Sequence, residues 1–195
     1  MAGIKGIIVP IVTPFREDET VSTAELRCQV DRQIEAGIHA IFCFGTNGEG
    51  YILDKEDKML VLATVINQVA GRVPVYAGTG CVSTKETIEQ SKMAADLGAD
   101  VLSIITPSFA KASQAELQAH YEAVATAVDL PIVLYNIPMR TGNALEPATV
   151  AKLSEVDNIV GAKDSSGDWD NLKAYIDLTR NKDFAVLSGN DALIL

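Results

Sequence analysis

Asn158-Ile159-Val160-Gly161-Ala162-Lys163-Asp164-Ser165-Ser166-Gly167 is a short apolar run that ends on a lysine and passes at once into small polar residues and a glycine turn. The run is continuous rather than alternating, as a strand reads when it lies in a parallel sheet covered on both faces. A helix is predicted before it, from about Pro147 to Leu153, and another after it, from Asp168 to about Thr179. Lysine is almost never fully buried unless paired, so a lysine at the mouth of a buried strand is unusual. Its plain alternative is to snorkel from the strand end into water. A desolvated lysine, however, is the standard nucleophile for a Schiff base with a carbonyl substrate, and the run points to imine chemistry at Lys163.

The same rhythm extends in both directions. Apolar runs at Gly6 to Val12, Ala40 to Phe44, Pro74 to Gly78, Val101 to Ile105, Pro131 to Asn136 and Phe184 to Ser188 read as further strands. Between them lie helical stretches opened by Ser22 with Glu25, Asp54, Ser83 with Glu86, and Ser113 with Glu116, and stopped by glycines at Gly37, Gly71 and Gly98. Strand following helix without a linker is a βα series. Seven such strands suit a (β/α)8 TIM barrel better than a doubly wound sheet, whose dinucleotide fingerprint is matched only weakly by Gly78-Thr79-Gly80 after the third strand. Barrels of this class run to about 250 residues. The chain stops at Leu195, just as Asp191-Ala192-Leu193-Ile194-Leu195 begins a seventh helix. The expectation is one barrel domain over residues 1–195, truncated after the seventh strand, with the eighth strand and final helices absent.

Composition narrows the function. Hydrophobic residues make up 48% and charged residues 22%, ordinary values for a soluble globular protein. A net charge of −10 argues against a nucleic-acid surface. No apolar run approaches the roughly 18 residues of a membrane span, and the start lacks a signal-peptide pattern, so the cytoplasm is the expected compartment. Cys28, Cys43 and Cys81 are widely spaced thiols, and His39 and His120 share no ligand spacing with each other or with them. Neither a metal nor another cofactor is expected.

Chemistry in a (β/α)8 barrel sits at the C-terminal ends of the strands. Thr46 and Asn47 fall there after the second strand, Tyr135 ends the fifth, Lys163 ends the sixth, and Phe109 and Arg140 flank the same mouth. The loop Gly45-Thr46-Asn47-Gly48-Glu49-Gly50 has the glycines to aim backbone N–H groups at an anion; taken alone it is equally a plain glycine-rich turn. Tyr135 alone is a core aromatic, but beside an imine-forming lysine it gains a role as proton relay. Arg140 reads either as solvated surface or as a planar fork for a carboxylate.

Three stretches then carry a resemblance. Gly45-Thr46-Asn47-Gly48-Glu49, Tyr135-Asn136-Ile137-Pro138 and Gly161-Ala162-Lys163-Asp164-Ser165-Ser166-Gly167 are similar to the signatures of the dihydrodipicolinate synthase / N-acetylneuraminate lyase family, and the similarity runs from Gly6-Ile7-Ile8-Val9-Pro10 to Ser188-Gly189-Asn190-Asp191. The resemblance implies a (β/α)8 barrel, usually a homotetramer, that condenses or cleaves through a pyruvate-derived imine on lysine. Lys163 is then the Schiff-base lysine and Tyr135 the proton relay. Thr46 and Asn47, with Gly48 beside them, hold the pyruvate carboxylate, and the Gly189 carbonyl lines the pocket. Arg140 meets the carboxylate of aspartate semialdehyde, the aldehyde partner of the synthase branch.

Two positions depart from the family pattern. Asn47 stands in a loop that usually carries paired Thr or Ser, and Phe109 stands where the synthase branch places a tyrosine from a neighbouring subunit. Phenylalanine passes no proton, so either the aldehyde differs or water takes that tyrosine's part. The implied activity is a pyruvate-dependent lyase most like 4-hydroxy-tetrahydrodipicolinate synthase. Its alternatives are a 2-keto-3-deoxy sugar-acid aldolase, an N-acetylneuraminate lyase-like enzyme and, outside catalysis, a 2-oxo acid sensor.

Overall fold

The computed structural model describes residues 4–193. Seven strands take the sheet order β1-β2-β3-β4-β5-β6-β7. They are β1 Ile8–Pro10, β2 Ala40–Cys43, β3 Val75–Gly78, β4 Val101–Ile105, β5 Ile132–Asn136, β6 Ile159–Asp164 and β7 Ala185–Ser188. Every pair with a described register is parallel. An order that never reverses is the progression of a (β/α)8 barrel, whereas a doubly wound sheet changes direction at a switch point. Between the strands run α1 Thr23–Glu35, α2 Lys55–Val69, α3 Thr84–Leu97, α4 Gln114–Ala127, α5 Pro138–Thr141, α6 Pro147–Leu153 and α7 Trp169–Thr179.

The chain forms two compact units, one of residues 5–79 and 91–102, the other of residue 4, 80–90 and 103–193, with divisions inside α3 and β4. In the first, every residue of β2 is buried, as the unbroken apolar run requires. Leu26 and Val30 bury the inner face of α1, and Val61, Leu62, Thr64, Val65 and Val69 that of α2. Arg72 bonds to Asp31 at 2.6 Å and holds that carboxyl below the usual range. Asp54 caps α2 by accepting from the Asp57 N–H at 2.8 Å.

In the second unit β5 is buried along its whole length. Tyr121 on α4 donates its hydroxyl to the Ile104 carbonyl at 3.0 Å, tying helix to strand. Asn158, just before β6, donates to the carbonyls of Ala125 and Val128 at 3.0 and 2.9 Å and closes the end of α4. Terminal carbonyls of a helix need such donors.

One element is added and one expectation changes. The stretch after β5, to which the sequence pattern assigns no element, contains the one-turn helix α5, started by Pro138 at a position where its missing N–H costs nothing and stopped by Gly142 at φ +77°. The chain after β7 makes a 3-10 turn at Asp191–Leu193; the rest of the helix expected there, Ile194 and Leu195, lies outside the described residues.

Candidate active site

β5 and β6 run side by side, and their register sets Tyr135 beside Lys163 and Asn136 beside Asp164. Side chains alternate across a strand, so these adjacent pairs serve opposite faces of the sheet. On one face Lys163 Nζ lies over the Tyr135 ring, 3.9 Å from its centroid. The tyrosine is buried and the lysine half-buried, short of the full burial a wholly desolvated amine would have.

The third wall of this corner comes from the turn after β7. Gly189 donates its N–H to the Asp164 carbonyl at 2.7 Å, which carries the ladder one step beyond the strand. A Cβ at Gly189 would fall 1.9 Å from Ser165 Oγ and 2.9 Å from Lys163 Cε. Only glycine lets the backbone pass so close to the lysine chain.

On the other face a buried polar lock holds the two strand ends together. Asp164 is 3% exposed. Its Oδ1 accepts from Asn136 Nδ2 at 2.8 Å and the Ser166 N–H at 3.1 Å; its Oδ2 accepts from the Ser166 hydroxyl at 2.9 Å and Asn171 Nδ2 at 3.2 Å. Asn136 Oδ1 takes the Leu145 N–H at 3.0 Å, and its carbonyl takes the Ser165 N–H at 2.8 Å. A buried carboxylate without partners is costly, and these donors meet the need while setting the Ser165-Ser166-Gly167 turn. Neither Asn136 nor Asp164 is singled out by the sequence reading. Their signal is the position each occupies, one residue after the tyrosine and the lysine at the end of an apolar run.

Arg140 is exposed on α5. Beneath it Thr141 is buried, donating to the Asn143 carbonyl at 3.0 Å and accepting from the Thr106 hydroxyl at 2.8 Å. Phe109 is fully exposed at φ +77°, so its ring packs on no part of the Lys163–Tyr135 corner. Positive φ in a bulky residue is a strained backbone.

The Thr46–Gly48 loop belongs to the other compact unit. It closes as a 3-10 turn in which the Gly48 and Glu49 N–H groups donate to the carbonyls of Gly45 and Thr46 at 3.0 and 3.2 Å. Those two amides are used inside the turn, which narrows the expected ring of outward N–H groups. The Gly48 carbonyl accepts from Thr13 Oγ1 at 2.7 Å. Glycine is required at 48 because a Cβ would meet the Ile11 carbonyl at 2.7 Å. In that unit burial pushes the Cys43 thiol up to about 12, leaving it no nucleophile at neutral pH.

Among the described residues no group of three or more His, Cys, Asp or Glu could hold a metal ion. Among the described residues no helix is long and apolar enough to cross a membrane.

The family model described as "Dihydrodipicolinate synthetase family" matches residues 3–195. The 4-hydroxy-tetrahydrodipicolinate synthase of Pelobacter propionicus is 47% identical over 187 residues, 96% of this chain and 64% of its own length. That of Cellvibrio japonicus is 42% identical over 189 residues, 97% of this chain and 65% of its own. Among solved structures, the Acinetobacter baumannii dihydrodipicolinate synthase, complexed with pyruvate, superposes with a TM-score of 0.93 at 45% identity, covering 96% of this chain and 64% of that one. The chain thus spans just under two thirds of the length of the relatives it matches, and its fold is theirs over that span. With a family model along nearly its whole length and relatives at such identity, the chain belongs to the dihydrodipicolinate synthetase family.

Proposed function

We propose that the full-length protein is a 4-hydroxy-tetrahydrodipicolinate synthase, a pyruvate-dependent lyase that condenses pyruvate with aspartate semialdehyde through an imine on Lys163. The observation that carries the reading is Lys163 Nζ standing 3.9 Å from the Tyr135 ring centroid at paired strand ends. An amine nucleophile and a phenol that can exchange protons are what imine formation needs in one corner. Relatives that carry the synthase name support it.

In this reading the uncharged Lys163 amine attacks the ketone carbon of pyruvate. The carbinolamine loses water to give the imine, and loss of a methyl proton gives an enamine. Tyr135 relays the protons. The enamine carbon then adds to the aldehyde carbon, and transimination or hydrolysis frees the lysine. Thr46 and Asn47 take the pyruvate carboxylate, with Gly48 shaping the turn that presents them, Arg140 takes the carboxylate of the aldehyde partner, the Gly189 carbonyl faces the pocket, and Phe109 borders the second substrate. The protein works in the cytoplasm as a homotetramer.

Sodium borohydride with pyruvate should add the reduced pyruvate mass to Lys163 in full-length protein, and Lys163→Arg should remove both the adduct and turnover, a loss of roughly four orders of magnitude or more. A folded sample with no adduct on Lys163 defeats the covalent mechanism. One observation favours a second reading, a 2-keto-3-deoxy sugar-acid aldolase: Phe109 offers no hydroxyl to a proton relay. Turnover of 2-keto-3-deoxygluconate in place of aspartate semialdehyde would select it.

A further inference from the structure

Asn143 follows the glycine that closes α5 and is 3% exposed. Its side chain is spent entirely on another loop. Nδ2 donates to the carbonyls of Pro107 and Ala110, both at 2.8 Å, and Oδ1 accepts the Ala112 N–H at 2.8 Å. Within that bracket the Ala110 N–H donates to the Ser108 carbonyl at 3.0 Å around Phe109 at φ +77°. A three-residue turn of that sense is rare and strained. Its tip packs against nothing in the described chain, so core packing gives no return for the strain, and the amide of Asn143 bonds to both sides of it.

The backbone of Asn143 works in the opposite direction. Its N–H donates to Thr141 Oγ1 at 3.2 Å, and its carbonyl accepts the hydroxyls of Thr106 at 3.1 Å and Thr141 at 3.0 Å. Thr141 ends α5, directly after Arg140. One residue therefore joins the segment that carries the guanidinium to the loop that carries the strained turn.

We propose that Asn143 is a positioning residue for the second substrate: its amide ties residues 107–112 to residues 138–142 and so fixes where Arg140 presents its charge. The inference rests on the reading of Arg140 and Lys163 given above. Loosening the tie leaves the Lys163–Tyr135 corner in place, because that corner is set by the β5–β6 register and the Asn136–Asp164 lock, in which the Asn143 side chain has no part. The two halves of the reaction should separate.

The test compares full-length wild type with Asn143→Ala and Asn143→Asp. The aspartate is close to isosteric, keeps an acceptor for the Ala112 N–H, and turns oxygen instead of N–H toward the Pro107 and Ala110 carbonyls; it reads the donors even where the alanine variant fails to fold. Three measurements are made: borohydride trapping of pyruvate, KM for pyruvate and for aspartate semialdehyde, and hydrogen exchange at the amides of residues 108–112. Trapping and the pyruvate KM should stay within about twofold of wild type while the KM for the aldehyde rises roughly tenfold or more, with faster exchange across 108–112. An unchanged aldehyde KM overturns the inference, and so does a loss of pyruvate trapping in step with it, which a merely structural role would give. Wild-type protein that traps no pyruvate instead overturns the proposed function itself, and the inference with it.

Discussion

At Gly189 one missing carbon decides where Lys163 can lie. The three nearest atoms that a Cβ would meet all belong to side chains, Ser165 Oγ at 1.9 Å, Lys163 Cε at 2.9 Å and Ser165 Cβ at 3.1 Å, so the fold can absorb Gly189→Ala by turning the serine and moving the lysine. The lysine would swing away from the Tyr135 ring and lose its approach geometry. Gly189→Ala should retain a cooperative melt yet lower the rate of pyruvate imine formation about tenfold or more, read by borohydride quench against time; an unchanged rate would show that the close approach is incidental. Lys163 and Tyr135 were legible in the sequence because polar groups ending apolar runs are out of place there. Asp164 carried only its place one residue past the lysine and Asn143 carried no mark at all, since what makes them matter is partners brought in by the fold, Asn136 and Asn171 for the one and residues 107–112 for the other, and no local pattern names those.

Elements show the same division in their caps. Ser22 with Glu25, and Ser113 with Glu116, are the same signature in sequence. Ser113 forms the reciprocal box, its hydroxyl oxygen accepting from the Glu116 N–H at 3.3 Å and its own N–H donating to the Glu116 carboxylate at 2.7 Å. These bonds also hold the Glu116 carboxyl below the usual range. Ser22 forms none, because its N–H is already given to the Pro14 carbonyl at 2.8 Å and the incoming chain is pinned by the Phe15–Val21 bridge. A capping box needs a free amide at the cap, and tertiary structure had taken it. Ser113→Ala should therefore cost about 1 kcal/mol, and Ser22→Ala should lose no cap at all. Urea midpoints of the two variants decide it: equal losses would mean that the hydroxyl of Ser113 contributes nothing as a cap. α5 escaped sequence reading for a related reason, since one turn opened by proline and closed by glycine is too short for periodicity to register.

The fold as a whole was readable because the strand rhythm is strong. Five strands, β2 to β6, are largely buried, as continuous apolar runs demand, while β1 and β7, at the two ends of the order, are half-exposed along their length. The pH response was not readable, because it turns on His120, which in sequence is only one polar residue on α4. In the structure it is 6% exposed, its Nδ1 is 2.9 Å from Thr84 Oγ1, and its Nε2 has no hydrogen-bond partner among the described residues. Burial lowers its affinity for a proton below the ordinary histidine value. The unfolded chain, with a histidine pKa of about 6.5, then takes up a proton that the folded chain resists. Stability contributed by the neutral ring is complete above about pH 6.5 and falls as pH drops from there toward the lower folded value. The carboxyls held low, Asp18, Asp31, Glu116 and Asp177, lose their contribution in the same direction but only near and below the carboxylate range, so the interval from about pH 6.5 to pH 5 isolates the histidine. Melting temperature should decline across that interval in wild type and stay nearly flat in His120→Gln. Parallel slopes for the two proteins would remove His120 as the source.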